Sequence, residues 1–183
     1  MEAHIAASIL PLLGWAVHGG ILARRLASAR RDPLTGLHTR AGWTARAEHL
    51  IRRHPRAAVL LVDLDHFKTL NDTHGHAAGD AALAATADRL RTWCGHNGTA
   101  GRLGGDEFVA VVRDLAAGDL DKLIAALHRP LDYEGVPLPL AASVGVCNVA
   151  ELAVPVLTDA LASADAAMYA AKGRGRRSSR TTR

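Results

Sequence analysis

Residues 57–62 (AAVLLV) form a continuous apolar run that ends on the carboxylate of Asp63. Six apolar residues without a polar alternate describe a strand covered on both faces. A chain holding such a strand must supply helices for two sides of a sheet, and the flanking patterns do so. Residues 40–54 bring Trp43, Ala47, Leu50 and Ile51 to one helical face, and residues 77–94 repeat apolar groups at Leu83, Ala87, Leu90 and Cys94. GRL, two glycines and EFVAVV (107–112) predict a hairpin on a glycine turn. LDYEGVPLPL predicts a small hairpin about Glu134-Gly135, and AASVGV (141–146) a further strand. Residues 119–128 predict a helix, and residues 157–172 a last, Ala-rich helix stopped near Gly173. The fold class is a mixed α/β (α+β) sheet covered by helices.

Composition limits the classes of function. Apolar residues make up 49% of the 183 positions and aromatics only 4%, so Ala, Leu and Val must fill the core. The formal charge of +4 is accounted for by the five arginines after Gly173, which leave a slightly acidic remainder. A body without a broad basic surface gives no nucleic-acid footprint, and no specific nucleic acid is expected as a partner. Cys94 and Cys147 stand apart with no CxxC pair, the pattern of a reducing compartment.

Residues 5–23 carry no formal charge and precede Arg24, Arg25, Arg30 and Arg31. As a helix these nineteen residues would rise about 28 Å, close to the thickness of bilayer hydrocarbon. The expectation is one membrane anchor with the remainder on the cytoplasmic side; the competing reading is a helix that pairs with another copy. The organisation expected is an N-terminal apolar helix over 1–31, one domain over 32–177, and a basic tail over 178–183.

Two segments carry candidate chemistry. In VDLDHFKTLNDTHGHAAGD (62–80), Asp63 falls at the end of the buried strand, Lys68 and Asn71 follow on a short helix, and Asp80 opens the next. In RLGGDEF (102–108), Gly104 and Gly105 let the backbone approach a ligand, and Asp106 and Glu107 set carboxylates beside that space. If the hairpin lies beside strand 57–62, Asp63 and Asp106 converge on a site of hard oxygens suited to Mg²⁺ and phosphate. Spacing alone also allows solvated turns.

The residues themselves go further. DPLTGL (32–37), DLDHFK (63–68), Asn71-Asp72, Gly75-His76, Gly79-Asp80, GGDEF (104–108), SVG (143–145), Ala164-Asp165, Met168-Tyr169, and Ala171-Lys172 leading to Gly175-Arg176 together resemble the GGDEF family of bacterial diguanylate cyclases. The likeness covers about residues 32–177. It implies a palm-like nucleotidyl-cyclase fold, with a mostly antiparallel central sheet flanked by helices. It also implies condensation of two GTP into cyclic di-GMP, with release of pyrophosphate, between two chains of a two-fold homodimer. By the same resemblance Asp63, Asp106, Glu107 and the Leu64 carbonyl hold Mg²⁺, with Mn²⁺ a possible substitute. Asp106 and Glu107 are then the catalytic carboxylates, and Asn71 and Asp80 read guanine. Phe67, Lys68, Gly104, Gly105, Lys172 and Arg176 contact phosphate. The alternative is a catalytically inactive domain that binds GTP and regulates a partner.

The chain departs from the family pattern at Gly95 and Gly98, where an RxxD pair binding inhibitory product often stands, so no feedback inhibition through that pair is expected. His66, His74 and His76, near Asp72, read as hydrogen-bonding partners rather than a zinc set. Asp65 and Asp72 read as structural, and Trp43 and Trp93 as core.

Overall fold

The computed structural model describes residues 30–178, with side chains described through Lys172. In chain order the elements are β1 (His38–Thr39), α1 (Arg40–Arg53), β2 (Ala58–Leu64), α2 (Phe67–His74), α3 (His76–Cys94), β3 (Gly98–Gly104) and β4 (Glu107–Val112). They continue with α4 (Asp119–Leu127), β5 (Leu131–Tyr133), β6 (Val136–Leu138), β7 (Ala142–Asn148) and α5 (Leu157–Ser178). Five strands form one sheet in the order β1-β3-β4-β2-β7, antiparallel except for the short parallel pair β1–β3. This is the expected antiparallel-centred sheet between helices.

The apolar run becomes an interior strand, β2, paired on both sides by β4 and β7. Alternate residues of β2 separate cleanly: Ala58, Leu60, Val62 and Leu64 pack with Leu83, Ala87 and Leu90 of α3 and Leu123 and Leu127 of α4. Val59 and Leu61 pack on the opposite face with Trp43, Ala47 and Ile51 of α1 and Ala160, Ala164 and Met168 of α5. On β4, Phe108, Ala110 and Val112 face α3 and α4, whereas Val109 and Val111 face α1 and α5. Each fully buried Val, Leu or Phe here contributes roughly 1.5–3 kcal/mol, so the alternation fixes the strand register firmly.

Close packing depends on missing side chains. A Cβ on Gly145 of β7 would lie 1.9 Å from the Ala164 carbonyl oxygen and 2.7 Å from the Met168 amide. The glycine therefore lets α5 settle directly on the sheet. Trp43 is fully buried against Gly101 and its indole N–H donates to the Thr99 carbonyl at 3.2 Å; Trp93 is half-buried and donates to the Asp119 carbonyl at 3.0 Å. Cys94 and Cys147 are free and buried, and burial pushes the Cys94 thiol up to about 12. The hairpin β5–β6 turns on Glu134 and Gly135, both at positive φ, with the Gly135 amide donating to Asp132 Oδ1 at 3.0 Å.

Two boundaries differ from expectation. α5 does not stop near Gly173 but continues to Ser178. An interior glycine costs a helix only about 1 kcal/mol, and the flanking alanines and C-terminal arginines favour continuation. α3 begins at His76, so Asp80 lies inside its second turn rather than opening it. The first of these helices to follow β2, α2, is entered through His66 at φ 58. Residues 5–23, expected as an anchor, lie outside the described residues. Among the described residues no helix is long and apolar enough to cross a membrane.

Candidate active site

The ends of β2 and β4 meet at a glycine turn. Their antiparallel register sets Asp63 directly opposite Glu107, and the Leu64 amide donates to the Asp106 carbonyl at 3.3 Å. The two-residue period then fixes orientation. Val62 and Phe108 face α3, so Asp63 and Glu107, each one residue away, share the face covered by α1 and α5. Asp63 and Asp106 are half-buried, and Glu107 is exposed. The carboxylate directly across from Asp63 is thus Glu107, while Asp106 sits in the turn beside Leu64.

The turn is open to a ligand. Gly104 and Gly105 take φ values of 150 and 50, and a Cβ added at either would meet nothing within 4 Å. A side chain at Gly105 would be strained there, which explains glycine at that position. A register shift between Arg102 and Gly104 aims the loop away from the regular ladder.

Arg102 holds this turn in place, a role the sequence reading did not assign. Its guanidinium donates twice to the Gly105 carbonyl, at 3.0 and 2.7 Å, and once to Asp32 Oδ1 at 3.1 Å. The Thr35 amide and hydroxyl donate to the same Asp32 oxygen at 2.9 and 2.6 Å. Burial pushes the Asp32 carboxyl up, but the Thr35 bonds and the Arg102 charge outweigh it and hold the carboxyl below its ordinary value. The signal was present in DPLTGL: an Asp followed three residues later by Thr is the pattern of a self-capped turn.

Helix α5 delivers a cation. Met168 packs beneath β7 at Gly145, and Lys172, one turn further on, donates to Asp63 Oδ1 at 2.5 Å. Arg176 follows at the next turn of the same helix, four residues on; its side chain lies outside the described residues.

The remaining candidates sit on α2 and α3. No side chain caps α2, so the Phe67 and Lys68 amides head an unblocked helix N-terminus beside the end of β2. Phe67 is half-buried and Lys68 exposed. Asn71 lies against Gly79, where an added Cβ would come within 1.9 Å of its Oδ1. Asp80, exposed, is the next residue of α3 after Gly79. Asp65 is not turned to this group: it accepts from the Ser143 hydroxyl at 2.7 Å and fixes the chain where β2 leaves the sheet.

The donor set suits a hard divalent cation. Carboxylates at the facing ends of two strands stand beside the glycine turn, and the Asp63 carboxylate already faces an ammonium group. Among the described residues no three His, Cys, Asp or Glu side chains form a cage by themselves. Such a site would draw its remaining ligands from the Leu64 carbonyl, substrate phosphate and water, the usual pattern for Mg²⁺.

Comparison with known proteins agrees with this geometry. Residues 29–178 match the family described as "Diguanylate cyclase, GGDEF domain". An "Uncharacterized 19.3 kDa protein in repSA 5'region" from Streptomyces ambofaciens is 78% identical over 183 residues, all of both chains. Diguanylate cyclase TpbB from Pseudomonas aeruginosa is 36% identical over 163 residues, which cover 83% of this chain and 37% of that protein. The crystal structure of a sensory box/GGDEF family protein from Caulobacter crescentus superposes with a TM-score of 0.72 at 38% identity, covering 80% of this chain and 99% of that one. With the sheet, the glycine turn and the family match in agreement, the chain belongs to the GGDEF domain family.

Proposed function

We propose that the chain is an active diguanylate cyclase that joins two GTP molecules into cyclic di-GMP and releases two pyrophosphates. The observation that carries this reading is the in-register pair Asp63 and Glu107 beside an open glycine turn, with Lys172 held at the same carboxylate. The family match and the relatives named diguanylate cyclase support it.

In this reading Asn71 and Asp80 select guanine. A carboxylate accepts from guanine N1–H and N2–H₂, whereas adenine offers it an acceptor at N1. The Phe67 amide, the Lys68 ammonium and the open backbone at Gly104 and Gly105 receive phosphate, and Lys172 with Arg176 takes the terminal phosphates. Asp63, Asp106, Glu107 and the Leu64 carbonyl would hold Mg²⁺, or Mn²⁺ in its place. When bound, that ion supplies charge neutralisation at phosphate and a lower pKa for the attacking hydroxyl.

The 3′-oxygen of one GTP forms a bond to the α-phosphorus of the other as the bond from that phosphorus to the pyrophosphate oxygen breaks. Asp106 takes the hydroxyl proton. Repeating the step with the roles exchanged closes the ring. One chain holds one GTP, so two chains must face each other about a two-fold axis. Residues 5–23 would pair or tether the chains, leaving this domain on the cytoplasmic side.

Incubation of the full chain with GTP and Mg²⁺, followed by chromatography of the nucleotides, tests the proposal. Cyclic di-GMP that is absent with Asp106→Ala supports it. Intact GTP with measurable GTP binding identifies the regulatory alternative, and a product requiring both ATP and GTP overturns the guanine assignment.

A further inference from the structure

The proposed reaction brings two GTP molecules to one glycine turn, and the groups assigned above serve the chain's own. Outside the turn, Asp63 belongs to β2, Phe67, Lys68 and Asn71 to α2, which follows it, and Lys172 to α5, which packs on β7. Asp80 is next to Gly79, against which Asn71 lies. In the sheet order β1-β3-β4-β2-β7, both β2 and β7 stand on one side of the β3–β4 hairpin that the turn closes. A nucleotide held by these groups reaches the turn from the β2 side, which leaves the β1 side for the second.

On the β1 side the turn borders a cleft of about 410 Å³. Its walls come from Asp32 of the opening loop, from β1 and the start of α1 at Arg40, and from the end of β3 through Gly105. The volume falls within the roughly 300–1,000 Å³ of clefts that bind small molecules. Leu103, on one wall, packs with the cluster beneath α1 and α5, so the cleft opens on the sheet face that carries Asp63 and Glu107. Gly104 and Gly105 present backbone without a Cβ to both sides of the turn.

Three charged side chains line this cleft, and two of them engage each other. Arg102 donates to Asp32 and to the Gly105 carbonyl, and Asp32 also accepts from Thr35. Arg40 is the third. It is exposed, and among the described residues no hydrogen bond or ion pair engages its guanidinium. A planar guanidinium matches phosphate oxygens and the O6/N7 edge of guanine, both of which GTP carries.

We propose that this cleft receives the GTP delivered by the partner chain, and that Arg40 is the residue that binds it. The inference rests on the reading of the chain as a cyclase and names the contact for its second substrate. Arg40 takes no proton and forms no covalent bond. It holds the incoming nucleotide so that its 3′-oxygen faces the α-phosphorus of the GTP on the β2 side.

The test titrates 3′-deoxy-GTP, which lacks the attacking hydroxyl, into the full chain in detergent with Mg²⁺. One series keeps the chain dilute enough to sediment as a monomer, and the other concentrated enough to sediment as a dimer. Native and Arg40→Gln chains should bind alike as monomers. On pairing, the native chain should gain affinity, and Arg40→Gln should fall behind it by roughly tenfold or more. Turnover of paired Arg40→Gln at saturating GTP should drop by a similar factor and recover in part with Arg40→Lys. Arg52→Gln, at the far end of α1, should match the native chain in both assays. Weaker binding by monomeric Arg40→Gln would assign the arginine to the chain's own GTP and overturn the proposal. Equal affinity of the paired native and variant chains would overturn it too, as would a nucleotide-free Arg40→Gln that no longer pairs. Absence of cyclic di-GMP from the native chain counts against the cyclase reading alone, because the affinity series reads Arg40 without turnover.

Discussion

Lys172 donates to Asp63 Oδ1 at 2.5 Å, linking α5 to the penultimate residue of β2 across 109 residues of sequence. The pair is partly shielded, with side-chain exposures of 32% and 22%. Gly145 makes it possible, because the helix could not sit close enough for Lys172 to reach β2 if a side chain stood there. In the proposed reaction both partners exchange each other for substrate: the carboxylate turns to metal and the ammonium to phosphate.

Lys172→Met should therefore weaken GTP binding by roughly tenfold or more, the effect of losing one charge-assisted contact. Stability should change by less than about 1 kcal/mol, because the pair remains partly solvated. Calorimetric titration with GTP and a urea melt of the same variant check the two halves. Loss of stability without loss of affinity would make the lysine structural.

Gly79→Ala separates folding from recognition. The new Cβ would fall 1.9 Å from Asn71 Oδ1, the free end of a side chain that can swing away. The helix should tolerate or even gain from the change, by up to about 1 kcal/mol. Displacing Asn71 should cost roughly tenfold in GTP affinity, measured against an unchanged or raised melting temperature.

Gly145→Ala should behave in the opposite way. Here the obstacles are the Ala164 carbonyl and the Met168 amide, which cannot move without the helix. The expected destabilisation is about 2–4 kcal/mol in urea, with activity lost as Lys172 is carried away from Asp63.

Asp32 gives a pH-dependent prediction. Its folded pKa lies below the ordinary 3.8, so its stabilising contribution is complete above that value and fades as pH falls through the lower folded value. Asp32→Asn should cost about 1–2 kcal/mol at neutral pH, since Arg102 and Thr35 lose a charged acceptor. The difference between the two proteins should shrink as melts are repeated at pH values below 3.8.

Much of this was legible in the residues. The run before Asp63 announced a strand covered on both sides, and GGDEF announced an open turn, because burial and backbone freedom are local properties of composition. The pairing of Asp63 with Glu107 rather than Asp106 was not legible, since it depends on the register between β2 and β4, two strands distant in sequence. Nor was the Lys172–Asp63 pair, which depends on how closely α5 settles over Gly145. The extension of α5 past Gly173 escaped because the cost of a glycine is small beside the gain from a continuing helix. Arg102 and Asp32 were quoted within motifs without a role, because their bond spans 70 residues.

The central claim is that oxygen ligands from β2 and the glycine turn gather a divalent ion and a triphosphate at one place. GTP affinity of the full chain, measured with and without Mg²⁺ for the native sequence and for Asp63→Asn, tests it most directly. The account predicts that Mg²⁺ strengthens GTP binding to the native chain and that this gain disappears in Asp63→Asn. An equal gain in both proteins, or none in either, would contradict it.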